Sequence, residues 1–327
     1  MPLELESALG RQCGRQSARF IVNQARQRHP FASLEYGRAF GSGVEVIDVP
    51  AWSSAVVARA IPNTDLRDAT GCYPFVPLQR DGDLAAGLNS LRAHDLISIV
   101  LVTDPLRMPP VPDLEEHFDF CRAFKTHYVF DRSIGPINMS RRHWREVRIA
   151  RRELQIREVI YADHVDRFAE LYSNLIENHH IEGIAAFDAV FFRSLVDVPG
   201  IRTIAAFLDD DIVSIMMFVV DGDVAYAFLA GTSEEGRERC AHYGLYAEAI
   251  EHFTDVSVIN LGGAPGVIDD PNHGIAYVKR KLTNTTLRSY LCGAVLDADA
   301  YVALGGNSND YFPAYRGVAH QASGDPK

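Results

Sequence analysis

The chain has 327 residues, 47% of them hydrophobic and 23% charged, which is enough for about two domains that each bury a core and excludes a disordered or fibrous chain. Its longest nearly apolar run, residues 212–220, falls far short of the ~20 residues that a bilayer crossing needs, and residues 1–28 carry arginines rather than an apolar leader, so a cytoplasmic protein without a membrane span is expected. The formal charge of -11 is unevenly placed, with 20 Lys and Arg against 18 Asp and Glu in residues 1–155 and 12 against 25 in the remainder; this argues against coating of DNA by general electrostatics and directs any polyanion to the first half or the junction.

In chain order the first half reads as strands at 44–49 and 56–61, an apolar stretch at 72–78, a helix at 84–94 and a strand at 96–102. A Pro-rich loop at 104–112, a helix at 114–124 and a short strand at 128–130 lead to the junction. There, residues 140–154 form a helix that opens on the N-cap residue Ser140 and places six arginines within twelve positions. Arg141, Arg145, Arg148 and Arg152 fall in one stripe, opposite Val147, Ala150 and Leu154. Guanidinium groups stacked in this way suit phosphates, although a solvated helix face has the same pattern.

The second half begins with alternating residues at 155–161, followed by helices at 164–180 and 188–196. Three strand-like runs, 203–208, 212–220 and 224–230, are separated by short acidic turns and read as an antiparallel meander. A helix at 237–253 and an apolar strand at 256–261 then form a parallel crossover. The five cysteines are isolated and never arranged as CxxC, and there is no HExxH, so neither a disulfide framework nor a metal site is expected. Gly-x-Ser-x-Gly is also absent, and Cys240 and His242 do not share a helix face, which favours direct attack by a substrate over a covalent enzyme intermediate.

The order of elements in the second half resembles a GNAT-type acyltransferase core. From Leu261 onward, Leu261-Gly262-Gly263-Ala264-Pro265-Gly266, Gly274-Ile275-Ala276-Tyr277-Val278-Lys279, Ser289-Tyr290-Leu291-Cys292-Gly293 and Tyr311-Phe312-Pro313-Ala314-Tyr315-Arg316 resemble the Fem-like branch, which includes BioF2-like proteins and is related to the FemABX aminoacyl-tRNA-dependent ligases. The resemblance is most specific over residues 156–316 and implies an α/β (α+β) fold of two tandem GNAT-like domains, each a mixed sheet flanked by helices. The first, residues 1–155, is a degenerate copy ending in the basic helix, and the second is 156–327. The resemblance further implies that Lys279 lies at the active cleft and assists acyl transfer electrostatically; valine stands at 278 where the family usually has phenylalanine.

By the same resemblance His180, a candidate general base, and Glu182 line the acceptor region, and Tyr277 belongs to the lysine motif. Tyr226 and Tyr290 either contact substrate or pack. Gly262 and Gly263 suit close backbone approach in the cleft, because Pro265 removes an amide and no GxGxxG is present. Arg141, Arg145 and Arg148 are the candidate phosphate contacts. The expected function is aminoacyl transfer from aminoacyl-tRNA to an amine of a small-molecule or cell-wall-type acceptor, with no tightly bound cofactor. The alternatives are an acyl-CoA-dependent N-acetyltransferase, disfavoured because residues 237–244 lack a pyrophosphate-binding glycine pattern, and a non-catalytic module that binds a phosphorylated metabolite or a partner protein.

Overall fold

The structure, a computed structural model, describes residues 28–41, 43–137, 139–181, 183–266, 268–306 and 311–316. Helix α1 (Leu34–Arg38), capped by the Ser33 hydroxyl on the Tyr36 amide, leads into the antiparallel meander β1 (Glu45–Val49), β2 (Ser54–Ala60) and β3 (Arg67–Gly71). After α2 (Leu84–Arg92), β4 (Leu96–Val102) returns parallel to β3. Helix α3 (Val111–His117), β5 (Phe120–Asp131) and α4 (Arg141–Glu153) follow.

The second half repeats this logic. Strand β6 (Gln155–Val159) and helices α5 (Val165–His179) and α6 (Ala189–Ser194) precede the antiparallel strands β7 (Ile201–Leu208), β8 (Asp211–Asp221) and β9 (Val224–Thr232). Helices α7 (Glu234–Glu238) and α8 (Ala241–His252) connect to β10 (Val258–Asn260), parallel to β9, and α9 (Gly274–Lys281), β11 (Thr285–Val295) and α10 (Ala298–Ala303) come after it.

All the strands join one sheet in the order β1-β2-β3-β4-β11-β5-β10-β9-β8-β7-β6. Each half thus contributes a meander and a parallel crossover strand, and the two exchange one strand at the centre. β5, which follows β4 in sequence, pairs with β10, while β11, which follows β10, pairs with β4. The exchanged strands lie antiparallel to each other. This mixed sheet flanked by helices is the tandem GNAT-like architecture expected from the sequence.

The structure defines one stretch and corrects two expectations. The apolar stretch at 72–78 forms no strand: Pro74 and Pro77 lack ladder donors, and only Val76 makes an isolated bridge, to Thr103. The strand is instead Arg67–Gly71, whose polar sequence gives little apolar signal because buried Asp68 is held by Arg59, Arg316 and Tyr315. The expected helix at 114–124 ends at His117, and Phe120 begins a twelve-residue strand, since pairing on both sides with β11 and β10 outweighs local preference. Finally, the helix at 237–253 breaks at Cys240, which has a φ of 56°.

Helix α5 packs Phe168 and Leu171 on one sheet face, in a core that also takes Phe31, Tyr36 and Phe75 from the first half. Helices α4 and α8 bury Val147 and Leu245 on the other face. At β9, Gly231 allows α5 to approach: a Cβ there would lie 2.7 Å from Leu171 Cβ and 3.1 Å from the Tyr172 amide nitrogen. Gly231→Ala is therefore expected to destabilise the fold by about 1–3 kcal/mol, read as a lowered denaturant midpoint. An unchanged midpoint would mean that α5 moves away from β9 freely.

Candidate active site

The sheet opens at the end of β10. This strand pairs with β9 from Val258 opposite Val224 to Asn260 opposite Tyr226 and no further. Beyond it the chain stays with β5, the Leu261 amide donating to Tyr128 O at 2.8 Å and the Tyr128 amide to Gly262 O at 3.2 Å, whereas β9 continues alongside β8. The gap between residues 227–232 and 261–263 is the candidate cleft. Gly262 turns the chain at its mouth with a φ of 72°, and its amide donates to Asn260 Oδ1 at 2.8 Å.

Lys279 reaches this turn from α9, its Nζ donating to Gly263 O at 2.7 Å. The position of a Cβ on Gly262 would lie at ordinary contact distance, 3.5 Å from that ammonium and 4.0 Å from Ala227 O, so the left-handed φ rather than lack of space calls for glycine here. Among the described residues no carboxylate forms an ion pair with Lys279, and burial lowers its pKa to about 8. A cation held against a carbonyl at a sheet opening can receive charge developing on a substrate oxygen.

Two further β5 residues border this turn, and neither was singled out in the sequence. His127 is 6% exposed and its Nδ1 lies 3.2 Å from Asn260 Oδ1 and 3.1 Å from Asn260 Nδ2, while its Nε2 has no hydrogen-bond partner among the described residues. Burial, with Lys279 and Lys125 adding to it against the Asn260 bond, lowers the His127 pKa to about 4, so the ring is neutral near pH 7. Lys125 is also 6% exposed; its Nζ donates to Ile268 O at 2.5 Å, and its stem packs on Gly263. The scarcity of lysine, four in the whole chain, marks Lys125 as much as Lys279 and was the available signal.

The remaining candidates are dispersed. Tyr226 is 2% exposed, and its hydroxyl donates to Asp104 Oδ2 at 2.8 Å; it joins the two halves and is not presented to the cleft. Tyr290 packs at the edge of the first-half core of Trp52, Leu91 and Ile99, its amide donating to Thr103 Oγ1 at 3.0 Å. His180 is the exposed C-cap of α5, with a left-handed backbone, and among the described residues no hydrogen bond or ion pair joins it to the Lys279 group. Glu182 lies outside the described residues. Tyr277, on α9, is exposed, with its ring 5.6 Å from that of His143 on α4.

Helix α4 buries His143, Val147 and Ala150 and leaves its arginines in solvent. Arg151 pairs with Glu251 at 2.6 Å and Arg152 with Glu153 at 2.6 Å, whereas Arg141, Arg145 and Arg148 form no ion pair among the described residues. Ser140 stands at the N-cap, but its hydroxyl is 2.6 Å from His143 Nδ1 and caps no helix amide. At the N-terminus of α8, Cys240 Sγ donates to Glu146 Oε2 at 2.8 Å, so a carboxylate sits beside the first turn. The glycine there, Gly244, serves packing: its Cβ would lie 2.9 Å from Ala150 Cβ.

Beneath the cleft, Asp104 is fully buried; it accepts from Tyr226 and from the Leu106 amide, and Arg107 pairs with Asp221 at 2.9 Å. Burial raises the Asp104 pKa from 3.8 to about 7. Between those values the folded protein binds a proton that the unfolded chain has released, so stability from this group falls as pH rises through the window and the penalty is full above pH 7. Asp104→Asn is therefore expected to gain in melting temperature relative to the parent between about pH 5 and pH 8. A pH-independent difference would mean that Asp104 is ionised throughout, held by Arg107.

Residues 138–265 match the family described as acetyltransferase (GNAT) domain. No curated protein matches the chain. Among solved structures, FemX superposes with a TM-score of 0.56 at 13% identity, covering 84% of this chain and 95% of that one. The C-terminal domain (DUF2156) of a putative lysylphosphatidylglycerol synthetase from Agrobacterium fabrum gives 0.55 at 13% identity, covering 83% and 89%. L-PGS from Bacillus licheniformis gives 0.53 at 11% identity, covering 89% and 97%. The superpositions give a Fem-like tandem GNAT fold, and the family match supports an acyltransferase. Among the described residues no helix is long and apolar enough to cross a membrane, and no cluster of His, Cys, Asp and Glu fits a metal ion.

Proposed function

We propose that this chain, which carries a GNAT domain within a Fem-like fold, transfers an aminoacyl group from aminoacyl-tRNA to the amine of a small-molecule or cell-wall-type acceptor. The observation that carries the reading is Lys279, an ammonium without an ionic partner among the described residues, at the point where the sheet opens. The acceptor amine attacks the ester carbonyl and forms a C–N bond, the carbonyl oxygen takes up negative charge beside Lys279, and collapse breaks the ester C–O bond and releases the tRNA hydroxyl. The amine proton leaves through solvent or an acceptor in the cleft. Within this reading residues 1–155 and 156–327 are the two GNAT-like units, and the exchanged β5 brings Lys125 and His127 from the first to the cleft of the second. A charged-tRNA donor makes this a cytoplasmic reaction.

Two features favour tRNA as donor. Arg141, Arg145 and Arg148 line an exposed helix with no ion pair among the described residues to neutralise them. At α8, Glu146 holds negative charge where a pyrophosphate seeks helix amides, and Gly244 is filled against α4. The match of residues 138–265 to an acetyltransferase domain favours the second reading, acyl-CoA as donor. Melting of the full chain with acetyl-CoA, free CoA and bulk aminoacyl-tRNA, at low and moderate salt, separates them, because a ligand that binds only the folded state raises the melting temperature. A rise with aminoacyl-tRNA alone that survives moderate salt supports the first reading; a saturable rise with CoA replaces it by the second.

A further inference from the structure

Lys125 and Lys279 approach the same two-residue turn from different elements. The Lys125 stem, on β5, lies against Gly263, the position of its Cβ being 3.3 Å from Lys125 Cβ, and the Lys279 ammonium, from α9, lies 3.5 Å from the Cβ position of Gly262. Each ammonium has a single protein acceptor among the described residues, Ile268 O for Lys125 and Gly263 O for Lys279, and both are neutral carbonyls. An ammonium carries three donors, so two remain on each. The neighbouring carboxylate, Asp269, is already engaged by the Thr126 amide at 3.2 Å, the Thr126 hydroxyl at 2.7 Å and Arg288 at 2.6 Å. Beside them stands His127, nine-tenths buried, whose Nε2 has no hydrogen-bond partner among the described residues.

Charges withdrawn from water without a counter-ion are unfavourable and persist where a ligand supplies the missing charge. One ammonium without a counter-ion among the described residues, Lys279, a second, Lys125, whose burial the neighbouring Asp269 only partly offsets, unused donors and a neutral imidazole match a compact dianion. Lysine serves such a ligand as a point charge, whereas a planar carboxylate is better met by the arginine fork. We propose that Lys125 and Lys279, bracketing the Gly262–Gly263 turn, bind the phosphate dianion of a phosphomonoester, so that the acceptor is a phosphate-bearing amine. The Lys279 donors not used by Gly263 O divide between this phosphate and the acyl oxygen.

The placement of the pocket beside an acyl group rests on the acyl-transfer reading, but phosphate binding is measured without transfer. A protein that binds phosphate and transfers nothing refutes the activity alone, and one that transfers without binding phosphate refutes the pocket alone. The probes are inorganic phosphate and phosphoethanolamine, with dimethyl phosphate as the monoanionic diester, titrated into the full chain and followed by melting temperature and calorimetry. The wild type is expected to bind the first two saturably and dimethyl phosphate at least about tenfold more weakly. Lys125→Met and Lys279→Met should each weaken phosphate about tenfold or more, and Lys125→Arg should retain part of it.

Because Lys125→Met removes a charge whose burial Asp269 only partly offsets, the ligand-free variant should melt at or above the wild type. A variant that melts lower or fails to fold would show instead that Lys125 ties down the chain at Ile268, and the proposal fails. It fails equally if phosphate gives no saturable response, if dimethyl phosphate binds as well as phosphate, or if either lysine variant binds like the wild type.

Discussion

Replacing Lys279 by alanine is expected to lower turnover about 10²–10³-fold with a smaller change in donor KM, the size seen when one preorganised oxyanion donor is removed. The reason is positional. The Gly262 turn and the Gly263 carbonyl hold the ammonium in the sheet opening before substrate arrives, so no reorganisation accompanies charge development. The same burial that makes the cation effective brings its pKa to about 8, so the ammonium is intact below that pH and lost above it. The rate should therefore fall on the alkaline side of about pH 8. Lys279→Arg, whose guanidinium stays charged, should lose turnover and also lose that alkaline fall. An alanine variant with wild-type kcat would remove Lys279 from the chemistry.

The second large effect is expected at α4. Changing Arg141, Arg145 and Arg148 together to glutamine should weaken aminoacyl-tRNA binding about 10–100-fold at low salt and flatten the dependence of log affinity on log salt by roughly 2–3. The three side chains are exposed on one stripe, while His143, Val147 and Ala150 hold the opposite face in the core, so the triple variant should fold with an unchanged melting temperature. Acetyl-CoA binding, if present, should not follow that salt slope. Equal tRNA affinity in the triple variant would reduce the stripe to solvated surface, as its sequence pattern also allowed.

These expectations draw unequally on what the sequence made legible. The meander β7–β8–β9 and the crossover to β10 were readable because turns such as Asp221-Gly222-Asp223 and long apolar runs signal locally. So was the basic helix, because Ser140 and the 3.6-residue alternation of arginine with Val147 and Ala150 belong to a single element. The strand exchange was not readable, since pairing of β5 with β10 is set by residues more than a hundred positions apart. For that reason no motif marks Lys125 and His127: they lie just beyond the end of a segment that reads as helix, and their meaning comes from Asn260, Gly263 and Lys279, which reach them only through the fold. Tyr226 shows the converse, a tyrosine on the expected strand whose hydroxyl bonds a buried aspartate rather than facing a substrate.

The most direct test of the account follows the acyl group itself. Bulk tRNA charged with radiolabelled amino acids and, in parallel, radiolabelled acetyl-CoA are each incubated with the full chain and a defined set of amines that includes phosphoethanolamine. Alkali then hydrolyses remaining esters and spares amides. The account predicts alkali-stable label from charged tRNA, dependent on an added amine and reduced about 10²–10³-fold by Lys279→Ala. Alkali-stable label from acetyl-CoA with none from charged tRNA would contradict it.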